Sequence, residues 1–398
     1  MFILYNPFAS IFQFDLKPAL VRAQLAVQKM APVWSKQPLK GVFITFHILR
    51  TLIILPWLIV RHIPKSARPF PQWSLKLSVI NPLARELFVY QTETRSNGMS
   101  TVESEHKKAK ERHSLANPAD AGVYSGVLSP GAVKPTPVGG LWYPAPISRE
   151  SPTLDDEKVV LHFPGGAFVL AFGQEMYGQA VSSAMSKHLK ASRTFFAQYR
   201  PAVDDATRFP AALQDLVTFY SYILSLGVKP QNVILSGDSA GGNLVIALLR
   251  YLETSVELPL PGGAIVWSPW VHVTPQAGAD YETCRNAGSD VLIPSLLQWG
   301  AEAYFPKHKR SPEELAYISP LHHPFQTRVP LFIHAGAVEA LYAAIEEFAK
   351  QMTEIDGNRV KLHATDFATH DLIMSYPGLG MEQEVKNALT DASSFFGL

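Results

Sequence analysis

Residues 231–252 read QNVILSGDSAGGNLVIALLRYL. A short apolar run at 233–236 enters Gly237-Asp238-Ser239-Ala240-Gly241 and a helical pattern leaves at once, so G-x-S-x-G sits in the strand, turn, helix setting its chemistry needs. Glycines at 237 and 241 remove side chains where the chain reverses, and the strained turn holds a serine hydroxyl out over the C-terminal edge of a sheet. Ser239 also stands at a helix N-terminus, where the dipole and the free N–H of Ala240 favour developing negative charge. The plainer alternative is a phosphate-binding or purely structural glycine turn, and the first of these lacks its following lysine. Ser239 is the expected nucleophile.

Around this turn, from about Lys158 onward, short apolar runs alternate with helical patterns, as in parallel strands joined by crossover helices. Strands are expected at 159–163, 194–199, 233–236, 263–267, 331–335 and 360–365, and helices at 211–226, 240–252, 341–352 and 382–395. The runs are mostly apolar rather than alternating, so both faces of the sheet are expected to be covered. The fold class is α/β, a doubly wound, mostly parallel sheet. The interval 271–319, with Trp299, Tyr304 and Phe305 on a helical pattern, is too long for a simple connection and is expected to form a lid with the N-terminal part. Two regions follow: 1–130, and a catalytic body at 131–398.

A serine hydroxyl needs a neutral imidazole within hydrogen-bond reach, itself oriented by a carboxylate, and in this kind of turn the chain order is Ser, acid, His. His370, in Phe367-Ala368-Thr369-His370-Asp371, follows the last expected strand and is the expected base. His334 and His363 lie inside strands and read as packed; His272 and His308 fall in the lid, and His322 and His323 just beyond it. Glu339 closes Gly336-Ala337-Val338-Glu339 at a strand's C-terminal end and is the expected acid, although an acid in a first helical turn also stabilises the dipole without catalysis. Asp366 and Asp371 compete, the latter having to fold back on its own neighbour. For the oxyanion, Pro164-Gly165-Gly166-Ala167 after the first core strand offers the amides of Gly165, Gly166 and Ala167 beside that of Ala240. As a mere strand-ending turn the same residues need no function.

The chain has 398 residues, 47% apolar and 17% charged, with 35 Lys+Arg against 34 Asp+Glu. That balance argues against nucleic acid as a partner, since phosphate contacts need a basic excess. One cysteine, Cys284, leaves no disulfide framework and reads as inert. No ligand spacing calls for a metal, and no cofactor is expected.

The most apolar segment, 41–60 (GVFITFHILRTLIILPWLIV), has the length of a bilayer span. Its thirteen Leu, Ile, Val and Phe favour insertion by about 0.3 to 0.6 kcal/mol each, against about 2.5 to 3.5 for a central Arg50. Lys40, His47, Arg50, Thr51 and Arg61 fall near one stripe, the pattern of a helix lying in a membrane interface. Membrane association is the expectation, and packing on the protein's own body the alternative. Residues 103–113, ESEHKKAKERH, suit an exposed helix with Glu103–Lys107 and Lys107–Glu111 pairs, and 129–138 and 146–157 read as loops.

With GDSAGG at 237–242, FPAALQD at 209–215 and ISPL at 318–321, the chain over about 161–376 resembles the hormone-sensitive-lipase-like branch of the α/β-hydrolases. It looks most like fungal membrane-associated esterases and steryl acetyl hydrolases; RPFPQWS at 68–74 looks fungal too. The resemblance implies an α/β-hydrolase with Ser239, Glu339 and His370 as its triad and a cap over an acyl pocket built from the N-terminal helices and the 271–319 insertion. It also implies an endoplasmic-reticulum address, a cytoplasmic one being the alternative. Two departures stand out: the branch's His-Gly-Gly-Gly reads Pro164-Gly165-Gly166-Ala167 here, with His162 two residues early, and the usual Asp is Glu339. The expected activity is hydrolysis of a short acyl ester of a lipophilic small molecule, a natural-product metabolite among the options. Acyl transfer or cyclisation by the same triad, and a non-catalytic binding protein on the same fold, are the alternatives.

Overall fold

The computed structural model describes residues 31–98, 107–148, 154–172 and 175–398. Eight strands form one sheet: β1 (His113–Ala116), β2 (Val138–Tyr143), β3 (Val159–Phe163), β4 (Arg193–Gln198), β5 (Val233–Asp238), β6 (Gly263–Trp267), β7 (Leu331–Gly336) and β8 (Val360–Thr365). Their order is β1-β2-β4-β3-β5-β6-β7-β8. The β1–β2 and β2–β4 pairs are antiparallel, and the other pairs are parallel. The six parallel-layer strands coincide with the six apolar runs to within two residues. β1 and β2 were not expected: HSLA is short, and VGGLWY carries two glycines that weaken a strand signal. The chain thus joins the sheet at His113, ahead of the boundary at 130/131 drawn from sequence.

The helices are α1 (Leu39–His62), α2 (Leu75–Thr94), α3 (Lys107–Arg112), α4 (Glu175–Leu189), α5 (Ala211–Ser225), α6 (Ser239–Thr254), α7 (Ala277–Glu282), α8 (Pro294–Tyr304), α9 (Pro312–Ile318), α10 (Tyr342–Thr353), α11 (Leu372–Leu379) and α12 (Glu382–Phe396). Alternate residues of a strand leave on opposite faces. Along β3, Leu161 and Phe163 therefore enter one apolar layer with Leu216 of α5 and Leu244 of α6. Val160 enters the other, with Met185 of α4 and Leu389 of α12. Each such buried side chain contributes about 1.5 to 3 kcal/mol, and continuous apolar strands are what a sheet covered on both faces requires. α4, with Gly178 and three serines in EMYGQAVSSAMSKHL, carries too weak a pattern to be expected. In the 103–113 stretch only the part from Lys107 is described: it is helical to Arg112 and then enters β1, while the Glu103–Lys107 pair lies outside the described residues.

α2 starts at Ser74, whose side chain accepts from Leu77 N, and it is tied down at both ends. Trp73 Nε1 donates to Phe367 O at 2.8 Å, and the Arg95 guanidinium lies 4.4 Å over the Trp299 ring of α8. α1 packs on α2 through an Arg50–Glu86 ion pair and a His47–Tyr90 ring contact at 5.9 Å. His47 and Arg50, expected in a polar stripe facing a membrane boundary, thus meet α2, because Glu86 supplies the opposite charge. The opposite face is apolar and open, with Phe46, Ile53 and Val60 62–75% exposed. By length and composition α1 could cross a membrane.

Candidate active site

Four loops reach one rim of the sheet, each from the C-terminal end of a strand. At the end of β5, Asp238 is extended (φ −113°, ψ 149°) and Ser239 turns to φ 51° as the first residue of α6. Left-handed backbone costs an L-residue about 1–2 kcal/mol, so the turn must be held by its surroundings. Gly241 supplies the room: a Cβ there would stand 2.0 Å from Phe163 O of β3. Trp270 N donates to Ser239 O at 3.0 Å, clamping the turn to the start of the insertion.

Glu339 follows β7 and His370 follows β8. His370 Nδ1 lies 2.9 Å from Glu339 Oε2, and Nε2 has no hydrogen-bond partner among the described residues. Ser239 and His370 line the same cavity without being hydrogen-bonded to each other. Ser239, Glu339 and His370 are 6%, 1% and 4% exposed, so water reaches them little. Burial disfavours a charged imidazole, but the hydrogen bond and charge of Glu339, helped by Asp290 and Asp371, outweigh it and hold His370 up at about 9. Burial also raises Glu339, opposed by its bond to His370. Of the competing acids, Asp366 is exposed, and Asp371 engages Asp238, while the partner of His370 Nδ1 is Glu339.

The loop after β3 departs from expectation at one residue. Gly165 N donates to Asp238 Oδ2 at 2.7 Å, so this amide is taken and is not a free donor. Gly166 and Ala167 line the cavity beside Ser239, which leaves their amides and that of Ala240 as the available set. Gly166 has φ 113° and a Cβ there would meet Leu170 O at 2.7 Å; Ala167 pays for its side chain with φ 51°.

Beneath the turn lies a buried polar chain that sequence reasoning missed. His162 Nδ1 is 3.0 Å from Ser236 Oγ and its Nε2 is 3.0 Å from Asp238 Oδ1. Burial holds His162 down at about 3, so it is neutral. Asp238 is pushed up to about 6 by burial, opposed by Asp371 and Gly165. Asp371 is raised well above its ordinary value, through burial and then the neighbouring charge of Asp238. The available signal was a histidine, His162, inside the otherwise apolar run VVLHF, and an acid, Asp238, within the glycine turn itself. Asp290 carried no motif and surfaced only through its contacts.

The cavity at Ser239, about 180 Å³, is lined by Leu87 and Phe88 of α2 and by Leu292 and Leu296 of the insertion. A second, of about 320 Å³, shares Ala84, Tyr177, Val291, His370, Met374 and Ser375 with it but not Ser239. His334 is buried in β7 against Thr365 Oγ1 at 2.8 Å, and His363 pairs with Asp391 at 2.9 Å. Cys284 is a half-buried free thiol that burial pushes up. Among the described residues no cluster of His, Cys, Asp and Glu could hold a metal ion.

An acetyl-hydrolase of Streptomyces hygroscopicus is 32% identical over 195 residues, 48% of this chain and 60% of that protein. An esterase of Acinetobacter venetianus is 27% identical over 208 residues, 52% and 64% of the two chains. The chain thus spans under two thirds of the length of these relatives. Steryl acetyl hydrolase 1 of Saccharomyces cerevisiae is 33% identical over 72 residues, 18% and 16% of the two. Among solved structures, an esterase of the bacterial hormone-sensitive lipase family superposes with a TM-score of 0.58 at 23% identity, covering 81% of this chain and 99% of that one. A family model described as alpha/beta hydrolase fold matches residues 160–374. With more than half of its length so matched, the chain belongs to the α/β-hydrolase fold family.

Proposed function

We propose that this protein is a serine carboxylic-ester hydrolase that removes a short acyl group from a lipophilic alcohol, with Ser239, His370 and Glu339 as its triad. The observation that carries the reading is the buried Glu339–His370 pair, whose free Nε2 borders the cavity that Ser239 lines. Ser239 Oγ attacks the ester carbonyl and His370 Nε2 takes its proton, while Glu339 keeps the imidazole in the tautomer with hydrogen on Nδ1. The carbonyl oxygen, now negative, accepts from the amides of Ala167 and Ala240, with Gly166 beside them; each such donor supplies about 2.7–4 kcal/mol in the transition state. Collapse breaks the bond to the alcohol oxygen, which leaves with the proton from His370. Water then repeats the sequence on the acyl-enzyme and releases the acid.

The leaving oxygen must lie within reach of Nε2, so the alcohol belongs on the His370 side. The roughly 320 Å³ cavity, with Ile80, Met176, Met374 and Leu379 in its wall, supports a bulky apolar alcohol there, and the smaller one at Ser239 supports a short acyl group. Membrane association through α1 belongs to the same reading. α2 stands between α1 and the cavities, and Leu87, 45% exposed, is both on its surface and in the cavity wall. An ester dissolved in lipid would meet the site from that side.

The test is labelling of the purified protein by a fluorophosphonate. Labelling that Ser239→Ala abolishes, with parallel loss of p-nitrophenyl acetate and steryl or terpenoid acetate hydrolysis, is expected. Labelling that survives the substitution would overturn the nucleophile assignment, and activity on the soluble ester alone would overturn the lipophilic alcohol.

A further inference from the structure

We propose that Asp290 is a positioning residue for the hydrolytic site: its single carboxylate ties together the loop that carries the base, the loop that carries the acid and the cap insertion. The inference rests on the triad reading above and adds a residue to it. Asp290 Oδ1 accepts from His370 N at 2.9 Å and from Val291 N at 2.8 Å, and Oδ2 accepts from Ala340 N, next to Glu339, at 2.9 Å. The residue is fully buried.

A carboxylate withdrawn from water is costly unless its oxygens are filled by donors. Here the three donors come from three separate stretches: the loops after β7 and β8 also meet through Ala337 N–Thr365 O at 2.9 Å and Val338 N–Ala368 O at 3.2 Å, and Asp290 adds the tie at His370 N and at Ala340 N, the backbone of the base and of the residue next to the acid. The carboxylate therefore helps set where Glu339 and His370 stand relative to each other. Its own segment is gripped from outside: Arg85 Nη1 of α2 donates to Ala287 O, Asp290 O and Leu292 O at 2.9, 2.9 and 2.6 Å, and Asn81 Nδ2 donates to Ser289 O at 2.8 Å. Alignment of the acid and base thus depends on the N-terminal helix as well as on the sheet.

The carboxylate also acts through charge. When His370 takes the proton of Ser239 it becomes a buried cation, and the groups that face it are Glu339 from the β7 loop, Asp290 from the insertion, its neighbour Asp371 and Asp238 of the nucleophile turn. Of these, Glu339 meets the ring itself at Nδ1 and Asp290 meets the same residue at its main-chain N–H, both at 2.9 Å.

The test compares Asp290→Asn and Asp290→Glu in the full chain, reading thermal unfolding, kcat and KM on p-nitrophenyl acetate, and the pH profile of kcat/KM. In D290N, kcat is expected to fall at least about 10-fold with little change in KM, and the acid limb of the profile to move down by about one pH unit as the imidazolium loses a negative neighbour. D290E keeps the charge and misplaces it: kcat falls while the limb stays put. A folded D290N with the wild-type limb and kcat overturns the proposal. So does a D290N that fails to fold alongside a D290E of unchanged kcat, because a purely structural role would then suffice. Failure of the triad reading has a separate signature, fluorophosphonate labelling that persists in Ser239→Ala.

Discussion

Gly165 donates its main-chain N–H to Asp238 Oδ2 at 2.7 Å, which ties the loop after β3 to the residue immediately before Ser239. His162 holds the other oxygen of the same carboxylate. The loop and the turn come from β3 and β5, neighbours in the sheet, so this bond fixes the distance between two halves of the proposed site.

Removing that acceptor should misalign the loop. Asp238→Ala leaves the Gly165 amide and the His162 ring without their partner, at about 1–3 kcal/mol for each buried group. We expect a lowered Tm and a 10²–10³-fold (order-of-magnitude) fall in kcat/KM on p-nitrophenyl acetate, the size seen when an oxyanion donor is lost. A folded variant with undiminished kcat/KM would contradict the linkage.

The pH profile follows from His370. A base works in its neutral form, and the imidazole is held up at about 9, so kcat/KM should climb with pH until that region and then level off. Glu339→Gln removes the hydrogen-bonded anion. The climb should move to lower pH and the plateau should drop by roughly 10²–10⁴-fold. An unmoved limb in the variant would show that another group titrates.

Ala167 and Gly166 should answer oppositely to exchange. At φ 51°, Ala167→Gly relieves backbone strain worth about 1–2 kcal/mol, offset in part by about 0.5–1 of added chain entropy, so stability should hold or rise slightly. Gly166→Ala drives a methyl onto Leu170 O and should cost both stability and rate. Chemical denaturation and kcat of the two variants, compared side by side, decide this; equal responses would argue against the loop geometry.

Asp215 anchors the start of α5. It receives Arg200 Nε and Arg200 N at 2.8–3.0 Å, and burial nevertheless raises it to about 6. Asp215→Ala leaves the largely buried guanidinium with only the carbonyls of Lys134 and Ala211 and no opposite charge, and breaking such a pair costs about 3–5 kcal/mol. Urea denaturation of the variant should show a loss of that order, with no comparable loss if the pair is dispensable.

The open face of α1 should bind lipid. Phe46→Glu with Ile53→Glu places two charges where both side chains are exposed, so folding should be unaffected. Co-sedimentation with phosphatidylcholine vesicles should fall at least about 10-fold, while hydrolysis of p-nitrophenyl acetate stays at the wild-type level. Equal sedimentation of the two proteins would remove α1 as the lipid contact.

Much of the architecture was legible in the chain because parallel strands buried on both faces are continuous apolar runs, as VVLHF of β3 shows, and their ends were placed to within two residues. β1 escaped because it is an edge strand of four residues, β2 because its two glycines weaken the strand signal, and α4 because its serines and Gly178 dilute the helical period. Ser239 stood out through turn chemistry, and His370 and Glu339 through their place after strands. Gly165 was misassigned for a physical reason: whether an amide is free depends on what lies opposite it, and Asp238 is 73 residues away along the chain.

Local rules thus determined which residue types end each strand, and with them the turn at Ser239, the loops that carry Glu339 and His370 and the sheet's two covered faces. Contact alone decided which donors are spent and which stay available, that Asp290 joins the two loops, and that the polar side of α1 meets α2 while its apolar side stays open. Strand periodicity and turn preference are properties of a few adjacent residues. Hydrogen-bond satisfaction and charge burial depend on groups brought together from distant parts of the chain, and those exist only once the sheet has assembled.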